Sequence, residues 1–388
     1  METSVLPTAL KHPDSYRETR TRIHSIDFLR GVVMVLMAID HARTFLHESF
    51  YQFNAEDLTQ TTPVLFFTRW VTHFCAPVFI FLVGTSAYLM QQKVQSKKQV
   101  FRFLVTRGLL LVALELTLFR LCWQSPAAFF QPFISLLVIW AIGVSMIFLA
   151  FLIYLPYRAV LVFGLLVLFL HNTLGNISFP EGSGMATFWA FFYRGGVGSL
   201  PGGIGVFFLY PVFTYFGLVA LGYCLGYLYS GEFTIERRKV LLTGLGAGAI
   251  VLFIVLRYFN LYGDPRPWEA GKNALYSFMA FLRTTKYPVS LLFALMTLGP
   301  ALLALALVEG VKNAVVRFFV TIGEVPMFYY ILHLVFTAAT AHIIGFNRYN
   351  LVAVYGFFVS LVFVLYLLCR WYSGYKRRHP EKKWLRYL

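Results

Sequence analysis

Long segments with almost no charged residues recur along the whole chain and restrict what it can fold into. Leu351–Trp371, for example, contains a single charged residue, Arg370. A transmembrane helix needs about 20 consecutive, mostly apolar residues. Because 59% of the residues are hydrophobic and only 13% are charged, these segments exceed what a soluble core requires. The sequence therefore predicts one all-α, polytopic integral membrane bundle.

Ten transmembrane helices are predicted, with both termini in the cytoplasm. An amphipathic segment, Pro63–Arg69, precedes the second helix. Residues 1–25 and the basic residues 372–388 are predicted to form cytoplasmic tails around a membrane domain of residues 26–371. The predicted spans are Ile26–Leu46, Trp70–Met90, Phe103–Leu121, Pro132–Tyr154, Ala159–Asn172, Gly205–Tyr229, Val240–Tyr258, Tyr287–Val308, Phe318–Ile344 and Leu351–Trp371.

The distribution of charge predicts the orientation of the chain and the kind of surface it meets. The chain carries 33 basic and 17 acidic residues, a formal net charge of +16. Most of the basic residues fall in the segments that ten helices would place on the side of the termini, as expected of cytoplasmic loops. Charges placed between hydrophobic segments indicate membrane lipids as partners and argue against nucleic acid. The first 25 residues contain no apolar signal-peptide core, so no cleaved signal peptide is expected.

The cysteines show no pattern that predicts a disulfide framework or a metal site. Cys75, Cys122, Cys224 and Cys369 lie singly in or beside apolar segments. Metal sites and disulfide frameworks show closer, paired spacings. We therefore expect all four to pack within the membrane, and we predict no metal.

Two predicted outer loops are too long to be plain connectors. The loop from Asn172 to Ile204 is rich in glycine and aromatic residues, and the loop from Asn260 to Lys286 carries both acidic and basic groups. Loops of this length are uncommon unless they are functional or disordered. Two interpretations stay open: a folded lid over the outer membrane face, or an interfacial loop anchored by tryptophan and tyrosine.

The first span ends in a cluster of ionisable residues that begins with Asp40 and His41. A histidine beside a carboxylate is the usual arrangement of a general base. Adjacent helix positions do not face each other, so Asp40 need not be the direct partner of His41. A catalytic histidine and an interfacial histidine that caps a helix end are both consistent with this pattern.

Other ionisable residues lie inside predicted spans. Glu115 in the third span is predicted to form a structural ion pair, with Arg107 and Arg120 towards the ends of the same span. His73 lies near the start of the second span. His333, in the ninth, is interpreted either as a hydrogen-bonded packing residue or as a functional one.

Several segments of the sequence resemble a known protein family. The segment Ser25–His41 resembles the start of the heparan-α-glucosaminide N-acetyltransferase catalytic-domain family, with bacterial members, and more distantly the wider superfamily of transmembrane acyltransferases. The shared motif is Ile26, Asp27, Arg30 and Gly31, followed by a helix that ends in a histidine, here His41, fourteen residues after Asp27. Further segments that fit the family are Ala76–Leu89, Val138–Gly143, Tyr210–Gly226, Arg283–Pro300 and Gly323–His333.

The chain departs from one branch of this family at the end of the first helix. The human-type branch has an asparagine there and a histidine further along the outer segment. Asp40 occupies the position of that asparagine, and His47 competes with His41 for the role of the histidine. We favour His41, because its spacing also fits the wider superfamily.

The resemblance implies an acyltransferase that moves an acetyl group from cytoplasmic acetyl-CoA to a hydroxyl or amine of an extracytoplasmic glycan or small acceptor. It implies a multi-pass location in a bacterial inner membrane and leaves a homodimer open. The implied catalytic residues are His41, Asp40 and His47. The residues implied to bind the donor are Asp27, Arg30, Arg102 and Arg107. Those implied to bind the acceptor are His73, Arg43, Arg283 and Lys286. Arg43 and His73 are also candidates to stabilise the oxyanion.

A transporter of a glycan or small anion through a polar intramembrane cavity is the alternative, because it too would need ionisable groups inside the membrane. The sequence shows no internal repeat of the kind that many transporters contain. A non-catalytic scaffold would leave Asp40, His41 and Glu115 without a role.

Overall fold

The computed structural model describes residues 23–124 and 129–386. Helix accounts for 72% of the structure and strand for 4%. Residues 1–22 of the predicted amino-terminal tail lie outside the described part. In the first half of the chain the helices are α1 (His24–Leu46), α2 (Pro63–Val71), α3 (Cys75–Val94), α4 (Lys97–Leu114), α5 (Arg120–Trp123), α6 (Val138–Leu152), α7 (Tyr157–Leu170) and α8 (Gly184–Trp189). In the second half they are α9 (Val212–Leu225), α10 (Ile235–Tyr258), α11 (Ala274–Leu282), α12 (Leu291–Val308), α13 (Ala314–Gly323), α14 (Pro326–Ile344) and α15 (Leu351–Arg378).

Short helical segments of other types extend or join these helices. A 3₁₀ turn, Thr72–Phe74, joins α2 to α3, and a π-helical turn, Glu115–Phe119, joins α4 to α5. Further turns follow α7 (His171–Asn176), α8 (Ala190–Arg194) and α9 (Gly226–Tyr229), and Lys383–Arg386 forms a last turn after α15.

The helical spans agree with a polytopic membrane protein. In the described part of the chain, seven helical stretches are long and apolar enough to cross a membrane: the combined α2–α3, α7, α9, α10, α12, α14 and α15. Helix α1, the combined α4–α5 and α6 pack against these stretches. Together they correspond to the predicted set of about ten spans.

Three predicted spans differ from the structure in their detail. The fourth and sixth begin with strands, β1 (Phe133–Leu136) and β3 (Ile204–Phe208), and become helical only at Val138 and Val212. The ninth is broken between Gly323 and Pro326, where α13 ends and α14 begins. Proline has no backbone N–H and fits the first position of a helix rather than its interior, so Pro326 starts a new helix.

The first long outer loop is folded and belongs to a small sheet. Strand β3 pairs in parallel with β1 and antiparallel with β2 (Gly196–Leu200). Helix α8 and the turn after it pack beside β2. The carboxyl ends of β1 and β3 lead directly into Leu137 and Leu209, which line the cavity described below.

The second long outer loop is held by a buried arginine. The guanidinium of Arg257, only 2% exposed, donates hydrogen bonds to the backbone carbonyl oxygens of Arg266, Ala280, Phe281 and Arg283 at 2.6–3.1 Å. Hydrogen bonds from an ionised donor are stronger than those between neutral groups. These contacts fix the loop that carries Arg283 and Lys286.

Helix α1 lies at the centre of the bundle and packs against α3, α12, α13, α14 and α15. Its approach to α13 is very close. A Cβ at Gly31 would lie 1.9 Å from the carbonyl oxygen of Phe319, and a Cβ at Gly323 would lie 1.8 Å from that of Asp27. Only glycine permits this distance at either position, which gives a packing reason for Gly31 in the motif.

Predicted inner and outer segments lie at opposite ends of the bundle. At one end, Glu309 accepts a 2.7 Å hydrogen bond from Ser25 and forms a 2.7 Å ion pair with Arg238. At the other end, Arg69 contacts Asp40, and the Tyr276 hydroxyl donates to the carbonyl oxygen of Thr61 at 3.1 Å. For these segments the two ends alternate as the ten-span map requires.

This alternation gives a testable topology. A cysteine placed at Lys97 should react with a membrane-impermeant thiol reagent only from the cytoplasmic side, and one placed at Glu269 only from outside. Both positions are exposed, whereas the four native cysteines are buried and should give little background. Labelling of both positions from one side of the membrane would contradict the arrangement.

Candidate functional site

The outer half of the bundle contains an open cavity of about 620 Å³, here called the outer cavity. Helix α1 contributes four polar side chains to its wall, Asp40, His41, Arg43 and Thr44, and the loop after α1 contributes residues 50–55. Apart from that loop, the charged and aromatic residues that line the cavity, together with Val138, are Asp40, His41, Arg43, Arg69, Trp123, Tyr210, Tyr287 and Tyr330. The cavity therefore combines charged and aromatic groups at one end of the membrane domain.

His41 is held in this wall by other rings. Its Nδ1 lies 2.7 Å from Nε2 of His333 in α14, and the two rings are stacked 9° from parallel. Trp123 and Tyr330 meet the His41 ring edge-on, with centroids at 5.1 and 6.2 Å. Only 7% of His41 is exposed. The contacts fix the orientation of an imidazole that lines the cavity.

Asp40 does not contact the ring of His41. Its carboxylate accepts hydrogen bonds from Nη1 of Arg69 at 2.9 and 3.0 Å and from Nη2 of Arg43 at 3.1 Å. Two arginines thus surround one aspartate, as expected where charges are largely withdrawn from water. Asp40 can influence His41 through its charge, but the hydrogen-bonded partner of His41 is His333.

A second carboxylate ties the loop after α1 to this network. Glu56 lies 2.8 Å from Nε2 of His73 and 3.3 Å from Nε of Arg69, and its backbone carbonyl accepts from Arg283 at 3.2 Å. Burial alone would raise the pKa of Glu56, but His73, Arg69 and Lys286 outweigh it and hold that pKa well below its usual range. Two predicted acceptor-binding residues, His73 and Arg283, therefore hold this loop in place and are not among the residues that line the outer cavity.

Lys286 is a buried cation beside the site. It is 7% exposed, and its ammonium lies 5.3 Å from the ring centroid of Tyr287. Its charge interacts with both Asp40 and His41. Within the described residues, no acidic side chain forms an ion pair with Lys286. Lys286 therefore adds positive charge to the surroundings of Asp40 and His41, and it is not among the residues that line the outer cavity.

His47 lies at the end of α1 and away from the cavity wall. Its Nδ1 is 2.8 Å from the Ser49 hydroxyl, and its backbone bridges to Tyr349. Burial and the nearby Arg43 guanidinium lower the pKa of His47. Of the two histidines that competed for the catalytic role, only His41 is among the residues lining the outer cavity.

The inner half of the bundle contains a second, mostly apolar cavity of about 270 Å³, here called the inner cavity. Five of the nine methionines of the chain line it: Met34, Met37, Met90, Met146 and Met327. Arg30, Arg107 and Lys376 are basic residues that also line it. Val138 and Tyr330 line both cavities, so these two side chains separate them.

The predicted donor-binding residues are placed differently around the inner cavity. Arg30 and Arg107 line it. Asp27 binds Arg30 in a 2.8 Å ion pair, and Arg30 also donates to the Ser86 hydroxyl. Arg102 is exposed on α4 and is not among the lining residues.

Glu115 has a different role from the predicted ion pair. Its two carboxylate oxygens accept hydrogen bonds from the backbone N–H groups of Leu137 and Trp140, at 3.1 and 3.2 Å. Leu137 immediately precedes α6 and Trp140 lies in its first turn, where backbone N–H groups have no partner within the helix. Glu115 therefore caps α6 from a neighbouring helix and fixes the start of the segment that carries Val138.

Several site residues were not predicted from the sequence. Arg69 and Glu56 are charged residues close to a span, and that signal alone could have marked them as candidates. Trp123, Tyr210, Tyr287 and Tyr330 carry no such signal, because aromatic residues are common throughout the chain. Within the described part of the structure, no group of three or more histidine, cysteine, aspartate or glutamate residues is arranged to hold a metal ion.

These observations define a multi-pass integral membrane protein with two adjoining cavities. The polar cavity, which contains a histidine, lies in the outer half of the bundle, and the mostly apolar cavity lies in the inner half. Residues 22–256 match the family model described as heparan-alpha-glucosaminide N-acetyltransferase, catalytic. The match spans more than half of the chain, and the chain belongs to this family of membrane acetyltransferases. No curated protein matches the chain. His333, Arg283 and Lys286 lie beyond the matched residues.

Proposed function

We propose that the protein transfers an acetyl group from cytoplasmic acetyl-CoA to a hydroxyl or amine of an extracytoplasmic glycan or small acceptor, with His41 as the general base. The observation that carries this proposal is the pair of cavities. They extend from opposite ends of the bundle and meet at Val138 and Tyr330, with His41 on the outer side. Such an arrangement lets donor and acceptor approach one reaction centre from opposite sides of a bacterial inner membrane.

The inner cavity suits the donor. Guanidinium and ammonium groups bind phosphate oxygens, and Arg30, Arg107 and Lys376 supply them in the wall of this cavity. Methionine side chains are flexible and polarisable, so they adapt to a slender, mobile chain such as pantetheine. The arm would extend through the cavity towards Tyr330. Arg102, being exposed, could bind a phosphate only outside the cavity, and Asp27 would orient Arg30.

The outer cavity suits a polar acceptor and the chemical step. Tyr210 and Tyr287, whose hydroxyls are 3.1 Å apart, together with Arg43 offer hydrogen bonds to a sugar or a similar molecule. His41 takes the proton of the acceptor while the oxygen or nitrogen of the acceptor attacks the thioester carbonyl carbon. The new acyl bond forms, the carbon–sulfur bond breaks, and the proton held by His41 passes to the CoA sulfur. Lys286 and Arg43 provide positive charge for the oxyanion that develops.

The donor assignment predicts salt-sensitive binding of CoA. Arg107→Ala should weaken CoA binding about tenfold or more, because a hydrogen bond to a charged group contributes roughly 1.5–3 kcal/mol. Arg158→Ala is the matched control, since Arg158 is exposed at the same end of the bundle and does not line the cavity. Calorimetry on purified protein in lipid nanodiscs would measure both, and higher salt should weaken wild-type binding. If the wild type does not bind CoA at low salt, the proposal fails, and transport through the two cavities becomes the better explanation.

A further inference from the structure

The hydrogen bonds of His333 determine which of its nitrogens carries the proton. His333 is fully buried in α14, and its Nδ1 lies 3.1 Å from the backbone carbonyl oxygen of Tyr329. A carbonyl oxygen only accepts hydrogen bonds, so Nδ1 of His333 must carry the hydrogen. No carboxylate contacts His333 within the described residues, and a buried imidazole without such a partner is neutral.

This assignment sets the state of His41. A neutral imidazole has one N–H, so Nε2 of His333 holds a lone pair. The 2.7 Å contact between Nε2 of His333 and Nδ1 of His41 then requires His41 to donate. His41 therefore carries its hydrogen on Nδ1, and its Nε2 is left with the lone pair that a general base needs.

We propose that His333 is a positioning residue for acyl transfer: it holds His41 in the tautomer whose Nε2 accepts the proton of the acceptor. This inference rests on the proposed role of His41 as the base. In many enzymes a carboxylate orients the catalytic histidine, but here the neighbouring carboxylate, Asp40, is bound by Arg69 and Arg43. The stacked ring of His333 also restricts rotation of the His41 ring.

Two substitutions separate positioning from other roles. His333→Gln keeps an oxygen that can accept the hydrogen bond from His41, but the amide cannot take up a proton as an imidazole can. His333→Leu removes the hydrogen-bond acceptor altogether. We expect His333→Leu to lower kcat by roughly 10²–10⁴-fold, as for the loss of an orienting group, with little change in KM for acetyl-CoA. His333→Gln should stay within about tenfold of wild type. Thr337→Val is the structural control, because the buried Thr337 hydroxyl donates to the backbone carbonyl oxygen of His333 and, among the described residues, to neither imidazole.

The outcomes are distinct. Normal turnover in His333→Leu would overturn the proposal, as would equal and severe loss in both His333 variants when Thr337→Val is active, since His333 would then carry a proton itself. Nitrogen-15 NMR of histidine-labelled wild type, with His41 assigned by comparison with His41→Ala, tests the tautomer without any dependence on variant folding. A protonated Nε2 on His41 would overturn the inference. Full activity in His41→Ala would instead refute the proposed base, whatever the His333 variants do.

Discussion

His41→Ala should lower acyl transfer by about 10²–10⁴-fold, the usual cost of removing a general base. The acceptor cannot release its proton as readily without the imidazole, so the attack on the thioester slows. CoA binding should survive, because His41 lines the outer cavity and is not among the residues lining the inner one. Transfer of labelled acetyl from acetyl-CoA to an envelope fraction containing the acceptor would measure turnover, and calorimetry would measure CoA binding.

His47→Ala is the matched comparison, since both histidines belong to the end of the same helix. Its ring contacts Ser49 and does not line the cavity, so the substitution should cost much less than His41→Ala. Asp40→Asn should fall between the two, because Arg43 and Arg69 would lose their shared counter-charge. Near-normal turnover in His41→Ala together with loss in His47→Ala would move the base to His47 and leave the acyltransferase proposal standing. If both variants stayed active, base catalysis by histidine would have to be abandoned.

The sequence predicts the spans well because the physical requirement is local. A helix must present about 20 apolar residues to lipid, and this can be read along the chain. The strands β1 and β3 cannot be predicted from local sequence in this way, because their parallel pairing joins Phe133 to Gly205 across a long stretch of chain. The sequence pattern places both strands inside predicted helical spans, because short apolar runs look alike in a strand and in a helix.

The candidate site was predictable only in part, for a related reason. Asp40 and His41 stand out because ionisable residues near a span are costly. Their partners come from other helices: Arg69 binds Asp40, and His333 binds His41 from a position 292 residues away. Charge type and spacing along one helix do not reveal such contacts. The same limit explains Glu115, whose partners are backbone N–H groups that no side-chain pattern reports.

The second large effect is expected at the contact between α1 and α13. Gly31→Ala and Gly323→Ala should each destabilise the fold by about 1–3 kcal/mol or more, the usual cost of overpacking. The atoms in the way are the backbone carbonyl oxygens of Phe319 and Asp27, less than 2 Å from the added Cβ. Backbone cannot rotate aside as a flexible side chain does, so the two helices would have to separate. Thermal unfolding of the purified variants would measure the loss.

Activity should fall together with stability in these variants. Helix α1 carries His41, and α13 leads through Pro326 into α14, which carries His333. Moving α13 away from α1 would therefore lengthen the 2.7 Å contact between the two imidazoles. Gly244→Ala and Gly356→Ala are matched controls, since no other group in the described structure lies within 4 Å of a Cβ at either position. These two should be neutral or slightly stabilising, because alanine is favoured over glycine inside a helix by roughly 0.5–1 kcal/mol. Equal melting temperatures for Gly31→Ala and Gly244→Ala would show that α1 and α13 do not approach this closely.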